Sequence, residues 1–309
     1  MTRHSIYRIC AYTINTITFI TLIVLFILFE GITSPFNRGF FCNDESIQKP
    51  YVAKQTVPVA MLTGLAVGVV LIVVIGCDIY SHFHLQRRYG STNVKSDHVV
   101  IVGGIRMNTC IYRTIFRLFL ALIGGLMCLI VTGIGKVMVG RLRPHFLAVC
   151  KPDYSKFNCS AGYITFDVCT GTDERALRQA RLSFPSGHSS FSAYTVVFVA
   201  LYIQYVFITK GFSLLKPFVQ LSLVCLGVAC GLTRISDYFH HWSDVLAGLL
   251  LGLLFAVYTV YGLMKLPAEE KKLREINATR TRDDVESQFT SIPANVPTNY
   301  GSVNAEKGD

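Results

Sequence analysis

Six stretches of this chain are apolar enough, and nearly all long enough, to cross a membrane, and they constrain every later choice. They run near Ile9–Thr33, Val57–Tyr80, Leu118–Val139, Ala193–Ile208, Pro217–Leu232 and Val245–Met264, the fourth and fifth a little short. About 18 consecutive apolar residues read as a spanning helix. A helix also satisfies its own backbone hydrogen bonds where no water can. The chain is 51% hydrophobic and only 16% charged over 309 residues, too little charge to cover a soluble domain of that length. The expected fold class is all-α, a polytopic membrane protein with six transmembrane helices. The first run is too long and too lightly charged at its start for a cleaved leader, so it reads as a retained anchor.

An even number of spans puts both termini on one face, and basic residues select which. Arg3 and Arg8 precede the first span, and Arg87, Arg88, Lys95, Arg106 and Arg113 follow the second. Lys210 and Lys216 lie between the fourth and fifth, and Lys265, Lys271, Lys272 and Arg274 follow the sixth. That face is expected to be cytoplasmic, which divides the chain into a cytoplasmic N-terminus (1–8), a six-span domain (9–264) and a polar, disordered cytoplasmic tail (265–309). Tyr300-Gly301-Ser302-Val303 in that tail has the form of a sorting signal. Asn158-Cys159-Ser160 is a glycosylation sequon on the opposite face, so Asn158 is the expected acceptor, whereas Asn277-Ala278-Thr279 lies on the wrong side. Cys42, Cys150, Cys159 and Cys169 also fall in exoplasmic loops, where disulfides form. Four cysteines allow three pairings, and spacing does not choose among them. The other cysteines read as packing within the spans, as do Gly64-x-x-x-Gly68 and Gly248-x-x-x-Gly252, with spacing suited to helix contacts inside one chain. The net charge of +10 suits an inner-leaflet surface and a local anion site, not nucleic acid.

Ionisable residues gather at the exoplasmic ends of the spans, where they are costly and therefore functional candidates. Lys136 and Arg143 flank the end of span three, Ser186, Gly187 and His188 open span four, Arg234 closes span five, and His240 and Asp244 open span six. Singly, each has a plain reading, such as a lysine snorkelling to the interface. Together, Lys136, Arg143 and Arg234 are three cations that would repel one another unless an anion sat between them. Guanidinium forks match phosphate oxygens. His240 and Asp244, four apart, can share a helical face, so that the carboxylate fixes the imidazole tautomer and leaves a nucleophilic lone pair. His241 is the competing candidate. Pro185-Ser186-Gly187 suits a helix start whose free amides face an anion, with His188 beside it as a general acid for a poor alkoxide leaving group. Asp44-Glu45, His82-x-His84 and Asp283-Asp284 are poor metal sites, so neither a metal nor another cofactor is expected. Arg113 and Arg117 read as cytoplasmic anchors of span three.

Lys136-x6-Arg143-Pro144, Pro185-Ser186-Gly187-His188 and Arg234-x5-His240-x3-Asp244 resemble the three signatures of the phosphatidic acid phosphatase type 2 superfamily. Thr233 stands where the third signature commonly has serine, which keeps the hydroxyl. "GRLRPHFLAVC", "RLSFPSGHSSFS", "SDYFHHWSDVLAG" and "PFNRGFFCNDESI" look like its animal lipid phosphate phosphatase branch, over about Pro35 to Leu263. The resemblance implies a helical membrane enzyme with an exoplasmic site that removes phosphate, without metal, from phosphatidate, lysophosphatidate, sphingosine 1-phosphate and ceramide 1-phosphate. It implies Lys136, Arg143, Ser186, Gly187 and Arg234 as phosphate binders, His188 as acid, His240 as nucleophile through a phosphohistidine, and Asp244 as its orienting partner. The expected partners are lipid phosphates drawn from the membrane, and a homo-oligomer is compatible with the sequence. The expected location is the plasma membrane with the site outside, or an internal membrane with the site lumenal. A phosphotransferase passing the group to a lipid acceptor is the alternative enzyme, and a lipid-phosphate-binding scaffold or a transporter the non-enzymatic ones.

Overall fold

The computed structural model describes residues 3–89, 99–102, 105–207, 214–268 and 271. Lys95, Lys210, Lys272, Arg274, the sequon at Asn277 and the motif at Tyr300 lie outside the described residues. The six apolar runs are helices long and apolar enough to cross a membrane. Helix α1 (Arg3–Ile27) runs into a π-helical turn, Leu28–Ile32, and α2 (Val59–Tyr89) follows. A short antiparallel hairpin, β1 (Val99–Val102) and β2 (Ile105–Asn108), precedes α3 (Thr109–Val139). Two short helices, α4 (Phe146–Cys150) and α5 (Glu174–Ala180), lie in the long loop before α6 (Gly187–Val206). The last two spans are α7 (Leu215–Ser236) and α8 (Trp242–Val257), the latter extended by a π-helical stretch to Leu263.

The centre of the bundle is α6. Its length is mostly buried, whereas the first and fifth spans are mostly open to the surroundings. This explains its serines. Ser189, Ser190 and Ser192 are small enough to admit neighbouring helices, and each is buried with a hydrogen-bond partner. Gly248 and Gly252 let α8 approach closely: a Cβ on Gly248 would sit 2.6 Å from the Ser186 carbonyl, and one on Gly252 would collide with that of Ser190. By contrast, Gly64 and Gly68 face open space, so packing within the chain does not account for that pair.

The loops at one end of the bundle form a small cap with its own core of Phe40, Ile47, Leu142, Phe146, Ile164 and Val168. Disulfides Cys42–Cys159 and Cys150–Cys169 staple it, which decides among the three pairings. Gly140 ends α3 with φ +56° and a bond from its N–H to the Lys136 carbonyl. A side chain there would also run into the Phe36 carbonyl, so glycine is required twice over. The turn it makes sends Arg141 and Arg143 back over the bundle.

At the other end, Arg117 is not a surface anchor. It is buried, with Nη1 2.5 Å from Asp78 Oδ1, and the same carboxylate accepts from Tyr202 (2.6 Å) and Thr114 (2.8 Å). A charge buried this deeply needs a partner and filled lone pairs, and a surface-anchor reading of Arg117 from sequence overlooks Asp78 as that partner.

Candidate active site

The separate signatures converge at the capped end. His188, Arg143, Arg234 and His240 line one cavity of about 90 Å³, together with Gln55, Val59, Gln179 and Phe239. At roughly 10–15 Å³ per water centre, that space holds several waters, enough for a phosphoryl group.

His240 sits in the turn between α7 and α8, not on the helix, and is 4% exposed. Its Nδ1 lies 2.7 Å from the Ser183 carbonyl and 3.8 Å from Asp244 Oδ2. The expected direct hydrogen bond to Asp244 is therefore replaced by one to a backbone oxygen, because the helix begins only at Trp242. A carbonyl only accepts, so Nδ1 carries the proton and Nε2 holds the free lone pair. Burial pushes the imidazole down to about 3, against the opposing pull of Asp244, so the ring is neutral at physiological pH. The competing His241 turns away, with Nε2 3.0 Å from the Leu142 carbonyl.

Asp244 organises the turn instead. Its carboxylate accepts from Arg141 Nη1 (2.6 Å), Ser183 Oγ (2.6 Å) and the His241 amide (3.0 Å). Ser183 thus donates to Asp244 through its hydroxyl and accepts from His240 at its carbonyl. Arg141 and Ser183 belong to this cluster; sequence reading places Arg141 at this membrane face without a role and overlooks Ser183. The "GRLRP" and "RLSFPSG" strings contain them, yet nothing in their spacing distinguishes them from linkers.

Arg143 is 8% exposed. Nη2 reaches the Gln179 amide oxygen (3.2 Å) and, more distantly, the Leu182 carbonyl, and the guanidinium lies over the Phe239 ring. Its Nε is buried without a hydrogen-bond partner, and it makes no ion pair among the described residues. Burial lowers its pKa to about 10, which still leaves it a cation. Arg143 thus lines the cavity with its charge unpaired and one buried donor unmatched, a combination that native structures rarely leave without a reason.

Arg234 is fully buried and held from several sides: Nη2 to Asp237 (2.8 Å) and Thr233 (3.1 Å), Nε to Thr233 (3.3 Å), and Nη1 to Gln55 (3.1 Å). Asp237 also accepts from the Thr56 amide and hydroxyl, which ties the entry of α2 to the end of α7. The Thr233 hydroxyl accepts from this guanidinium at both Nε and Nη2.

His188 stands in the first turn of α6, with Nε2 3.1 Å from the Val57 carbonyl. Ser186 caps that helix. Its Oγ accepts from the Ser189 amide (3.4 Å) and hydroxyl (2.9 Å), so its side chain is already engaged and does not line the cavity. Gly187 leaves room for Lys136: a Cβ there would meet Nζ at 3.1 Å. Lys136 itself is paired with Glu30, Nζ to Oε1 3.2 Å, and does not line the cavity. The expectation of three uncompensated cations is corrected: Lys136 and Arg234 each face a carboxylate, and Arg143 does not. Asn158 is exposed in the cap, its side chain accepting from the Ser160 amide.

The PAP2 superfamily model matches residues 115–267, which hold all of these residues except Glu30 and the Gln55–Val59 segment. The chain is 44% identical over 228 residues to phospholipid phosphatase 1 of Rattus norvegicus, covering 74% of this chain and 75% of that protein. The chain belongs to the PAP2 superfamily. It is also 40% identical over 229 residues to phospholipid phosphatase 2 of Mus musculus, covering 74% and 77%. No solved structure matches. The cavity of this PAP2 protein therefore rests on the geometry above, and its lining comes from the stretches that carry the three signatures, with additions from the entry of α2 and from α5.

Proposed function

We propose that this chain is an integral membrane lipid phosphate phosphatase, a phosphoric monoester hydrolase that works through a phosphohistidine. The observation that carries the reading is the shared cavity: two imidazoles and two buried guanidiniums from separate stretches, with Arg143 lacking an anion. Family membership supports the reaction class. The proposed substrates are phosphatidate, lysophosphatidate, sphingosine 1-phosphate and ceramide 1-phosphate; the relatives, named phospholipid phosphatases, support the lipid phosphatase class.

In the first half-reaction, Nε2 of His240 donates its lone pair to phosphorus. The P–N bond forms as the bond to the lipid oxygen breaks, and the departing alkoxide takes a proton from His188. In the second, water attacks phosphorus, His188 accepts its proton, the P–N bond breaks and inorganic phosphate leaves. Arg143 and Arg234 hold the non-bridging oxygens as charge develops on them. Asp244 acts on His240 through its charge and through Ser183. Val57 holds one ring nitrogen of His188, leaving the other to exchange the proton. Lys136 and Ser186 act from the edge of the cavity, Lys136 through its charge beside Gly187 and Ser186 by capping the α6 N-terminus, where the Gly187 amide meets the phosphate.

Disulfides at the site end support an oxidising compartment. The capped end then faces the exterior of the plasma membrane or an organelle lumen, with glycosylation at Asn158. Both termini are cytoplasmic, and 265–309 forms the tail beyond the six-span domain.

The deciding experiment is phosphate release from a panel of lipid phosphates by the wild-type chain and His240→Ala. Turnover is expected to fall by roughly four orders of magnitude or more with the protein still in the membrane, and retained activity would move the nucleophile elsewhere.

A further inference from the structure

Glu30 is the sole charged residue between Thr13 and Ile32 in the first span. A carboxylate at membrane depth is expensive. This one sits in the last turn of its helix, where the backbone dipole disfavours negative charge. Helix stability does not explain it. Its carboxylate instead reaches Lys136, with Nζ 3.2 Å from Oε1 and 3.4 Å from Oε2, the lysine side chain 16% and the glutamate 30% exposed.

The placement is enforced from elsewhere. Arg178 on α5 donates to the Glu30 carbonyl (3.4 Å) and the Thr33 carbonyl (3.0 Å), and the adjacent Gln179 meets Arg143 in the cavity. One short helix therefore sets both the end of the first span and one of the phosphate-facing guanidiniums. Lys136 in turn rests on the first turn of α6, against Gly187 and one residue from His188. Its ammonium lies between two claims: a resident carboxylate on one side and the anion-binding helix end on the other.

On the phosphatase reading above, we propose that Glu30 is a counter-charge that competes with bound phosphate for Lys136. An enzyme that holds inorganic phosphate as tightly as it holds the transition state is inhibited by its own product, since uniform binding lowers KM without raising kcat. Glu30 cancels one of the cations at the site and so keeps the product dianion weakly held. The substrate ester and the product carry similar charge near neutral pH and compete with the same carboxylate, so Glu30 loosens both.

The test is inhibition by inorganic phosphate of the full-length enzyme in detergent–lipid micelles, measured alongside KM and kcat. Glu30→Gln is expected to lower the inhibitory phosphate concentration by about three- to tenfold, the scale of one partly buried ion pair. KM should fall with it, and kcat should not rise. Glu30→Asp, one methylene shorter, should show a smaller effect in the same direction, and it provides the test should the glutamine variant not fold. Phosphate inhibition within twofold of wild type in a folded variant overturns the proposal. So does weaker inhibition with a raised KM, which would mean that Glu30 merely positions Lys136. Active wild-type enzyme and active Glu30→Gln that are both unaffected by inorganic phosphate overturn this proposal alone. Absence of both hydrolysis and phosphate binding removes the phosphatase reading with it.

Discussion

The two ends of the bundle each bury a charged cluster, and they are built to opposite rules. At the far end, Asp78 is matched to Arg117, and its oxygens also accept from Tyr202 and Thr114. At the capped end, Arg143 has no carboxylate and an unpartnered Nε beside an open cavity. A cluster whose charges close on themselves holds helices together. One that leaves a cation and a donor unmatched is what the proposed anion site requires. Burial and charge alone do not separate the two cases; the balance of donors and acceptors does.

That comparison can be broken by substitutions at each end. The largest stability effect belongs to the balanced cluster. Arg117→Leu leaves Asp78 buried without its cation and is expected to cost about 3–5 kcal/mol, seen as a lowered Tm in detergent, while adding Asp78→Leu should restore much of it. If Arg117→Leu instead abolished turnover in folded protein without changing Tm, the far end would be functional. Arg143→Ala should do the reverse, lowering phosphate release by about 10²–10³-fold, the cost of removing one preorganised charge donor, with Tm nearly unchanged or raised. A smaller and more gradual effect comes from pH. Burial holds His145 down to about 4 and His240 down to about 3, both below the unfolded value of roughly 6.5. The unfolded chain therefore binds more protons in that interval, so stability is full above about pH 6.5 and falls as the medium is acidified. The slope is on the order of 1 kcal/mol per pH unit for each histidine. A Tm that rises on acidification from pH 7 to 5 would contradict neutral burial of these rings.

The spans were legible because a bilayer-crossing helix needs an unbroken apolar run, which is a local property of the chain. The signature residues were legible because the alternation of six spans places the end of one helix beside the start of the next. The boundary that mattered most was harder to read. Ser189, Ser190 and Ser192 look like a polar approach to span four, yet they are buried inside α6, since an interior helix needs small side chains more than greasy ones. The pairing of His240 with Asp244 looked like a helical i, i+4 relation, but the helix starts too late, and the Ser183 carbonyl takes the hydrogen bond. Gln55 and Gln179 reach the cavity, and Glu30 reaches Lys136 beside it, from distant segments, so no spacing rule points to them.

Sequence alone determined that this chain crosses a membrane six times and carries its phosphatase signatures at one end, because hydrophobic length and span parity are additive along the chain. Tertiary structure alone decided which cysteines pair, which oxygen sets the His240 tautomer, and which cations keep a carboxylate. Those outcomes depend on distances of a few ångströms between segments far apart in sequence, and electrostatic and hydrogen-bond energies change sharply over that range.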